Sequence, residues 1–281
     1  MQTVAIIGAG EIGALTAQGL AALELVRAIS LIDASGSIAA GKALDLAQAR
    51  PIKASDTRIS GSTDVADADG AGLVVLADRA DGTGEWQGES GLEIVRRLLA
   101  VAPGVPLLLA GASQRDLMSL ALLELALPPG HVFGTAPAGL NSAAQALVGV
   151  AADCSARDVA LVVVGVPGAW IPAWTECTIG ATPAAVVLAP HVLLRLERQI
   201  AASWPPGPYT LASAAVRGAA ALIHGARRHL TCFAAVGGEL HGRPAVAAVP
   251  VTLGAGGVGR VQMPALSERE RLSFETALVA R

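Results

Sequence analysis

Short apolar runs alternate along this chain with longer stretches in which apolar and polar residues recur at helical spacing. The runs at 4–7, 28–32, 73–77, 105–110 and 131–134 predict buried parallel strands, because a strand covered on both faces needs no polar alternation. Between them, 12–25, 38–50, 91–102 and 116–127 predict helices. Such βαβ alternation predicts an α/β fold with a Rossmann-type, doubly wound parallel sheet, assigned to residues 1–140. Beyond it the pattern changes to strands near 158–166 and 175–179, two long helices over 185–203 and 209–228, further strands, and a terminal helix from Ser267. Residues 141–281 are therefore read as a second, mixed α+β domain.

The most informative turn follows the first apolar run, where Val4-Ala5-Ile6-Ile7-Gly8-Ala9-Gly10-Glu11-Ile12-Gly13 joins a strand to a glycine-rich turn and a helix start. Gly8 permits the tight turn, Gly10 lets backbone approach a pyrophosphate, and Gly13 allows the helix to pack closely on the strand. The free N–H groups of the helix start, around Glu11 and Ile12, favour an anion. Glu11 suits the helix dipole but brings negative charge toward that anion. Asp33 ends the second apolar run, twenty positions after Gly13. A carboxylate there accepts hydrogen bonds from the adenosine ribose and repels a 2′-phosphate, and 34–37 contain no arginine. The reading is a dinucleotide site for NAD rather than NADP, with Ala77 assigned to the same crevice.

Composition narrows the partners. The chain has 281 residues, 53% of them hydrophobic, enough for a sizeable core in one or two domains. A formal charge of −3 without a basic run argues against a nucleic-acid partner. Cys154, Cys177 and Cys232 lack metal-type spacing and read as free, mostly buried thiols of a reducing compartment, and no metal site is expected. No apolar stretch predicts a membrane span, and the chain runs straight into a strand without a leader pattern, so a cytoplasmic location is expected.

Several further segments, in order, resemble the lactate/malate dehydrogenase family. Gly41-Lys42-Ala43-Leu44-Asp45-Leu46-Ala47-Gln48-Ala49 is similar to a helix signature of that family, and Leu140-Asn141-Ser142-Ala143 to its Leu-Asp-Ser-Ala-Arg run. Trp170-Ile171-Pro172-Ala173-Trp174 resembles the strand after its catalytic histidine, and Gly207-Pro208-Tyr209-Thr210 the start of its substrate-side helix. Segments 250–258 and 266–270 resemble its C-terminal strand and helix start. The resemblance spans the chain. It implies hydride transfer between NAD and a small 2-hydroxy acid, a lactate/malate dehydrogenase-like C-terminal domain, and a homodimer or homotetramer with Asp45 at a subunit contact.

The chemistry is where the sequence departs. Aligned on these motifs, the family's catalytic histidine falls on Pro167, in Gly165-Val166-Pro167-Gly168. The aspartate that orients it falls on Asn141, and the arginine that clamps the substrate carboxylate falls on Ala144. The family's mobile loop reads 78–89 here, with one arginine out of register, and its Thr-Asn-Pro turn reads Ala110-Gly111-Ala112-Ser113. Losing donor, orienting carboxylate and clamp together is coherent, since each is of little use alone. Two functions follow as expectations: an NAD-binding protein without 2-hydroxy-acid dehydrogenase activity, or a divergent NAD-dependent oxidoreductase acting on a CH–OH group of an unidentified substrate. Thr210 and Arg217 are the substrate-side candidates for the unknown small-molecule ligand.

Overall fold

The computed structural model describes residues 2–225, 229–240 and 243–279. In chain order the elements are β1 (Gln2–Ile7), α1 (Glu11–Ala22), β2 (Val26–Ile32), α2 (Gly36–Lys53), β3 (Arg58–Ser62), β4 (Leu73–Leu76), α3 (Gly88–Val101), β5 (Leu107–Leu109), α4 (Arg115–Glu124), β6 (Val132–Gly134) and α5 (Ala136–Ala151). There follow β7 (Val159–Ala160), β8 (Val163–Val166), β9 (Ala169–Pro172), β10 (Thr178–Ile179), β11 (Thr182–Pro183), α6 (Ala184–Val187), α7 (Pro190–Ala202), α8 (Pro208–His224), β12 (His229–Leu240), β13 (Arg243–Gly254), β14 (Gly257–Val261) and α9 (Glu268–Val279).

Strands β3-β2-β1-β4-β5-β6 lie side by side and parallel, with Ile6 of β1 opposite Leu31 of β2 and Val75 of β4. This is the expected α/β Rossmann order, and its reversal between β1 and β4 opens a crevice at the carboxyl ends of those strands. The sheet continues past β6 through antiparallel β12, β13, β8 and β9, joined at Phe233 opposite Gly134. Val4, Ala5, Ile6, Ile29, Leu31, Leu73, Val75 and Leu76 are fully buried, so the apolar runs owe their character to burial on both faces. A smaller apolar cluster, including Leu140, Ala144, Val148, Leu161, Val163 and Leu196, lies under α5 and α7.

Differences from the sequence pattern have physical causes. Strand β3, Arg-Ile-Ser-Gly-Ser, is an edge strand with no fully buried residue and so carries no apolar run. Helix α5 is rich in alanine and glycine, and its buried face includes Gly139, Leu140, Ala144, Val148 and Gly149, so its periodicity is muted. The single helix expected over 185–203 is broken before Pro190, which opens α7 at its first turn where its missing N–H costs nothing. The helix expected over 209–228 stops at His224, with Gly225 left-handed at φ +59; 226–228 lie outside the described residues. The strand expected over 175–179 shortens to two residues, and that over 158–166 divides into β7 and β8. Among the described residues no helix is long and apolar enough to cross a membrane. All three cysteines are free, and burial pushes the Cys177 thiol up to about 11 and the Cys232 thiol higher still.

Candidate functional site

The turn between β1 and α1 requires its glycines. Gly8 has φ +109, and a Cβ on it would stand 2.3 Å from the Asp78 carbonyl oxygen. A Cβ on Gly13 would stand 2.0 Å from the Gly8 carbonyl oxygen, so the helix start and the strand end touch through bare backbone. At the mouth of this cradle lies a carboxylate: Glu11 N–H donates to Asp78 Oδ2 at 2.8 Å and Gly13 N–H to Asp78 Oδ1 at 3.0 Å. A Cβ on Gly10 would fall 2.3 Å from that carboxyl carbon. The backbone cradle expected for a pyrophosphate is therefore present, but the amides that would serve it are engaged, and the seat as arranged does not fit a second anion. Lys42, from the signature helix α2, donates from Nζ to the carbonyl oxygens of Ala9 at 2.6 Å and Gly10 at 3.0 Å, a loop-bracing role that the sequence pattern did not show.

Asp33 stands at the end of β2 and is 4% exposed. Its Oδ2 accepts from Ala9 N–H at 2.8 Å and Ala80 N–H at 2.9 Å, and its Oδ1 from Ser35 N–H at 2.8 Å. A carboxylate offers about four acceptor directions, so one remains for a ribose hydroxyl. Ala77, just past β4, is fully buried against β1 and the start of α1, donating its N–H to Ile7 O. The structure thus brings Gly8, Gly10, Glu11, Gly13, Asp33 and Ala77 together, while the Ile12 side chain turns into the main core.

The loop after β4 closes over the same end of the sheet. Asp78 and Glu85 pair through their backbones in an isolated antiparallel β-bridge, the Arg79 guanidinium lies 5.0 Å from the Trp86 ring centre, and the Glu85 carboxylate accepts from Ala112 N–H at 2.9 Å and Ser113 N–H at 2.7 Å. Burial pushes the Glu85 carboxyl up, those two amides oppose the shift, and neighbouring Asp78 adds to it. The segment expected to be the family's mobile loop is, in this structure, tied down by its own acids.

The positions aligned with the family's catalytic groups lie on α5 and at the β8–β9 turn. Pro167 is exposed at the tip of the β8–β9 hairpin, where Pro-Gly with Gly168 at φ +88 suits the two central positions of a type II turn. Asn141, on α5, spends its carboxamide on the chain before and within β8: Nδ2 donates to Leu161 O at 3.2 Å and Oδ1 accepts from Val163 N–H at 2.6 Å. Ala144 is fully buried in the smaller apolar cluster. Thr210 is half-buried at the start of α8 and packs toward Gly139 of α5. Arg217, exposed on α8, lines two cavities. One, of about 400 Å³, it shares with His224, His229 and several leucines and alanines; the other, of about 320 Å³, also meets Asn141, Glu176 and Thr231. Thr210 lines neither of these two cavities.

Residues 2–97 match the lactate/malate dehydrogenase, NAD binding domain. The malate dehydrogenase of Thioalkalivibrio sulfidiphilus is 29% identical over 299 residues, covering 99% of this chain and 96% of that protein. That of Methanosarcina mazei is 30% identical over 285 residues, covering 93% and 91%. Among solved structures, the malate dehydrogenase of Aeropyrum pernix superposes with a TM-score of 0.88 at 21% identity, covering 98% of this chain and 95% of that one. The parallel order around β1, the glycine-bound turn and similarity along nearly the whole length agree, and the chain belongs to the lactate/malate dehydrogenase family, residues 2–97 being its NAD-binding domain.

Proposed function

We propose that this protein binds NAD without performing the family's 2-hydroxy-acid dehydrogenase reaction. The observation that carries the proposal is the position aligned with the catalytic histidine, an exposed Pro-Gly turn with no titratable group. Reduction of a 2-keto acid needs a proton for the developing alkoxide and a cation for the carboxylate. Pro167 has no proton to give, the Asn141 carboxamide is committed to backbone, and Ala144 sits where an apolar cluster surrounds it. A missing general acid alone costs about 10²- to 10⁴-fold in rate. In this reading residues 1–140 hold the dinucleotide, residues 141–281 supply a scaffold, and the protein is a cytoplasmic homodimer or homotetramer. Leu44 and Ile52, 59% and 89% exposed on α2, support a subunit contact on that helix.

Steady-state assay of the purified protein with NADH and oxaloacetate or pyruvate tests this. Turnover below detection is expected, and turnover above about 1 s⁻¹, within the ordinary enzyme range, would refute the proposal. A second reading, NAD-dependent oxidation of a CH–OH group on another substrate, draws on the cavity of about 320 Å³ where Asn141, Glu176, Arg217 and His229 meet. NADH formation from a panel of secondary alcohols, abolished by Arg217→Ala, would favour it.

A further inference from the structure

The glycine turn of this domain already holds an anion, and the anion belongs to the chain. Helix α1 presents the N–H groups of its first turn, which have no partner within the helix, with the positive end of its dipole, toward the crevice between β1 and β4. Into that field Asp78 projects from the end of β4, its two oxygens each taking one amide, Glu11 N–H at 2.8 Å and Gly13 N–H at 3.0 Å. Its backbone is fixed as well, since Gly10 N–H donates to Asp78 O at 2.9 Å. The turn approaches so closely that Gly10 has no room for even a Cβ beside the carboxyl group. The same loop supplies Ala80 N–H to Asp33, so the groups expected to receive the pyrophosphate and the ribose are engaged by one segment, 78–80.

We infer that Asp78 is a built-in competitor for the phosphates of a dinucleotide: its carboxylate caps α1 in the free chain, and a dinucleotide is seated only when that carboxylate leaves. The inference rests on the reading of this cradle as the NAD site. A dianionic pyrophosphate and the Asp78 carboxylate would otherwise share the same amides, which the donors cannot satisfy and Coulomb repulsion forbids. Asp78 is thereby a determinant of affinity, lowering it for any phosphate ligand without touching the adenosine or nicotinamide.

Calorimetric titration of the wild type, Asp78→Asn and Asp78→Ala with NAD and NADH tests this, alongside thermal unfolding in inorganic pyrophosphate. Asp78→Ala is expected to bind NADH at least tenfold more tightly than the wild type, with Asp78→Asn between them because it keeps an oxygen acceptor but loses the charge. Pyrophosphate is expected to raise the melting temperature of Asp78→Ala and leave that of the wild type unchanged. Measurable and equal NADH affinity in all three proteins, or equal responses of the wild type and Asp78→Ala to pyrophosphate, would overturn the inference. A pyrophosphate response confined to Asp78→Ala, with no NAD or NADH binding by any variant, would uphold the competitor and overturn the NAD reading instead. Should Asp78→Ala not fold, the near-isosteric Asp78→Asn carries the same comparisons.

Discussion

Replacing Asp33 by alanine should unfold this protein more readily even when no dinucleotide is present, which distinguishes a structural carboxylate from one reserved for a ligand. Three backbone N–H groups converge on Asp33 between 2.8 and 2.9 Å, and the side chain is 4% exposed. Ala9 is fully buried, so its amide would lose its partner without gaining water, at about 1–3 kcal/mol. Ser35 and Ala80 are half-buried and can be rehydrated, so the loss of their charge-assisted bonds costs roughly 1 kcal/mol each. The total is about 3–5 kcal/mol, a large part of the roughly 5–15 kcal/mol that stabilises a domain. At about 2 °C per kcal/mol for a chain of this size, the melting temperature should fall by about 6–10 °C. Asp33→Asn should fall by a similar amount, because one of its two acceptors becomes a donor facing N–H groups. Differential scanning calorimetry of dialysed, nucleotide-free protein measures this, with Asp69→Ala as a surface control. A loss under about 2 °C would refute the reasoning, since it would mean that the Ala9 amide finds another partner or that water enters the strand end.

Other consequences can be checked singly. Ala144→Arg, the change that would restore the family's carboxylate clamp by sequence alignment, should cost several kcal/mol and drive the protein into inclusion bodies, because it buries a guanidinium among Leu140, Val148, Leu161 and Val163; soluble protein with an unchanged melting curve would contradict that packing. Glu270 reciprocates with Ser267 in a capping box at the start of α9, and it accepts from Trp174 N–H at 2.8 Å and Thr175 Oγ1 at 2.6 Å. Burial works against its ionisation, but the Thr175, Ser267 and Trp174 bonds prevail and hold its carboxyl below the usual range. Its stabilisation is thus complete above the ordinary carboxylate value and is lost as pH falls through the lowered one. Urea unfolding should show the wild type ahead of Glu270→Gln at pH 7 and level with it in strong acid; a constant difference at every pH would refute the assignment.

How much of this was legible in the sequence depends on whether the cause was local. The glycines at 8, 10 and 13 and the acid at 33 could be read because strand, turn, helix and second strand follow one another within thirty-three residues. The parallel core strands could be read because burial on both faces makes them continuous apolar runs, whereas β3, at the edge, leaves no such mark. Asp78, Glu85 and Lys42 were not legible in their present roles. Asp78 meets its partners across 67 and 65 positions, Lys42 across 33 and 32, and Glu85 across 27 and 28, and nothing about an aspartate after an apolar run says which amides it will find. The alignment that placed Pro167, Asn141 and Ala144 at the family's catalytic positions gave no hint that one is a solvent-facing turn, one a backbone clamp and one core.

The distribution of acids across the crevice connects these points. At the carboxyl ends of β1, β4 and β5 the chain leaves its strands, and the amides of 9, 11, 13, 112 and 113 have no ladder partner there. The buried residues among them, Ala9, Gly13 and Ala112, need a partner for their donors, while Glu11 and Ser113 are exposed and open to water. In a dinucleotide enzyme part of that demand is left for the ligand, which makes the ligand-free state less stable and binding correspondingly favourable. Here Asp33 takes Ala9, Asp78 takes Glu11 and Gly13, and Glu85 takes Ala112 and Ser113, so the demand is met from within. Burial, with a smaller contribution from the neighbouring Asp78 charge, pushes the Glu85 carboxyl up. Lys42 braces the glycine loop from its carbonyl side, where it brings the one lysine ammonium bonded to that turn. A chain that stabilises its empty crevice in this way gains less from binding NAD than one that leaves the amides open, because each amide a carboxylate already holds must be released before a phosphate can take it.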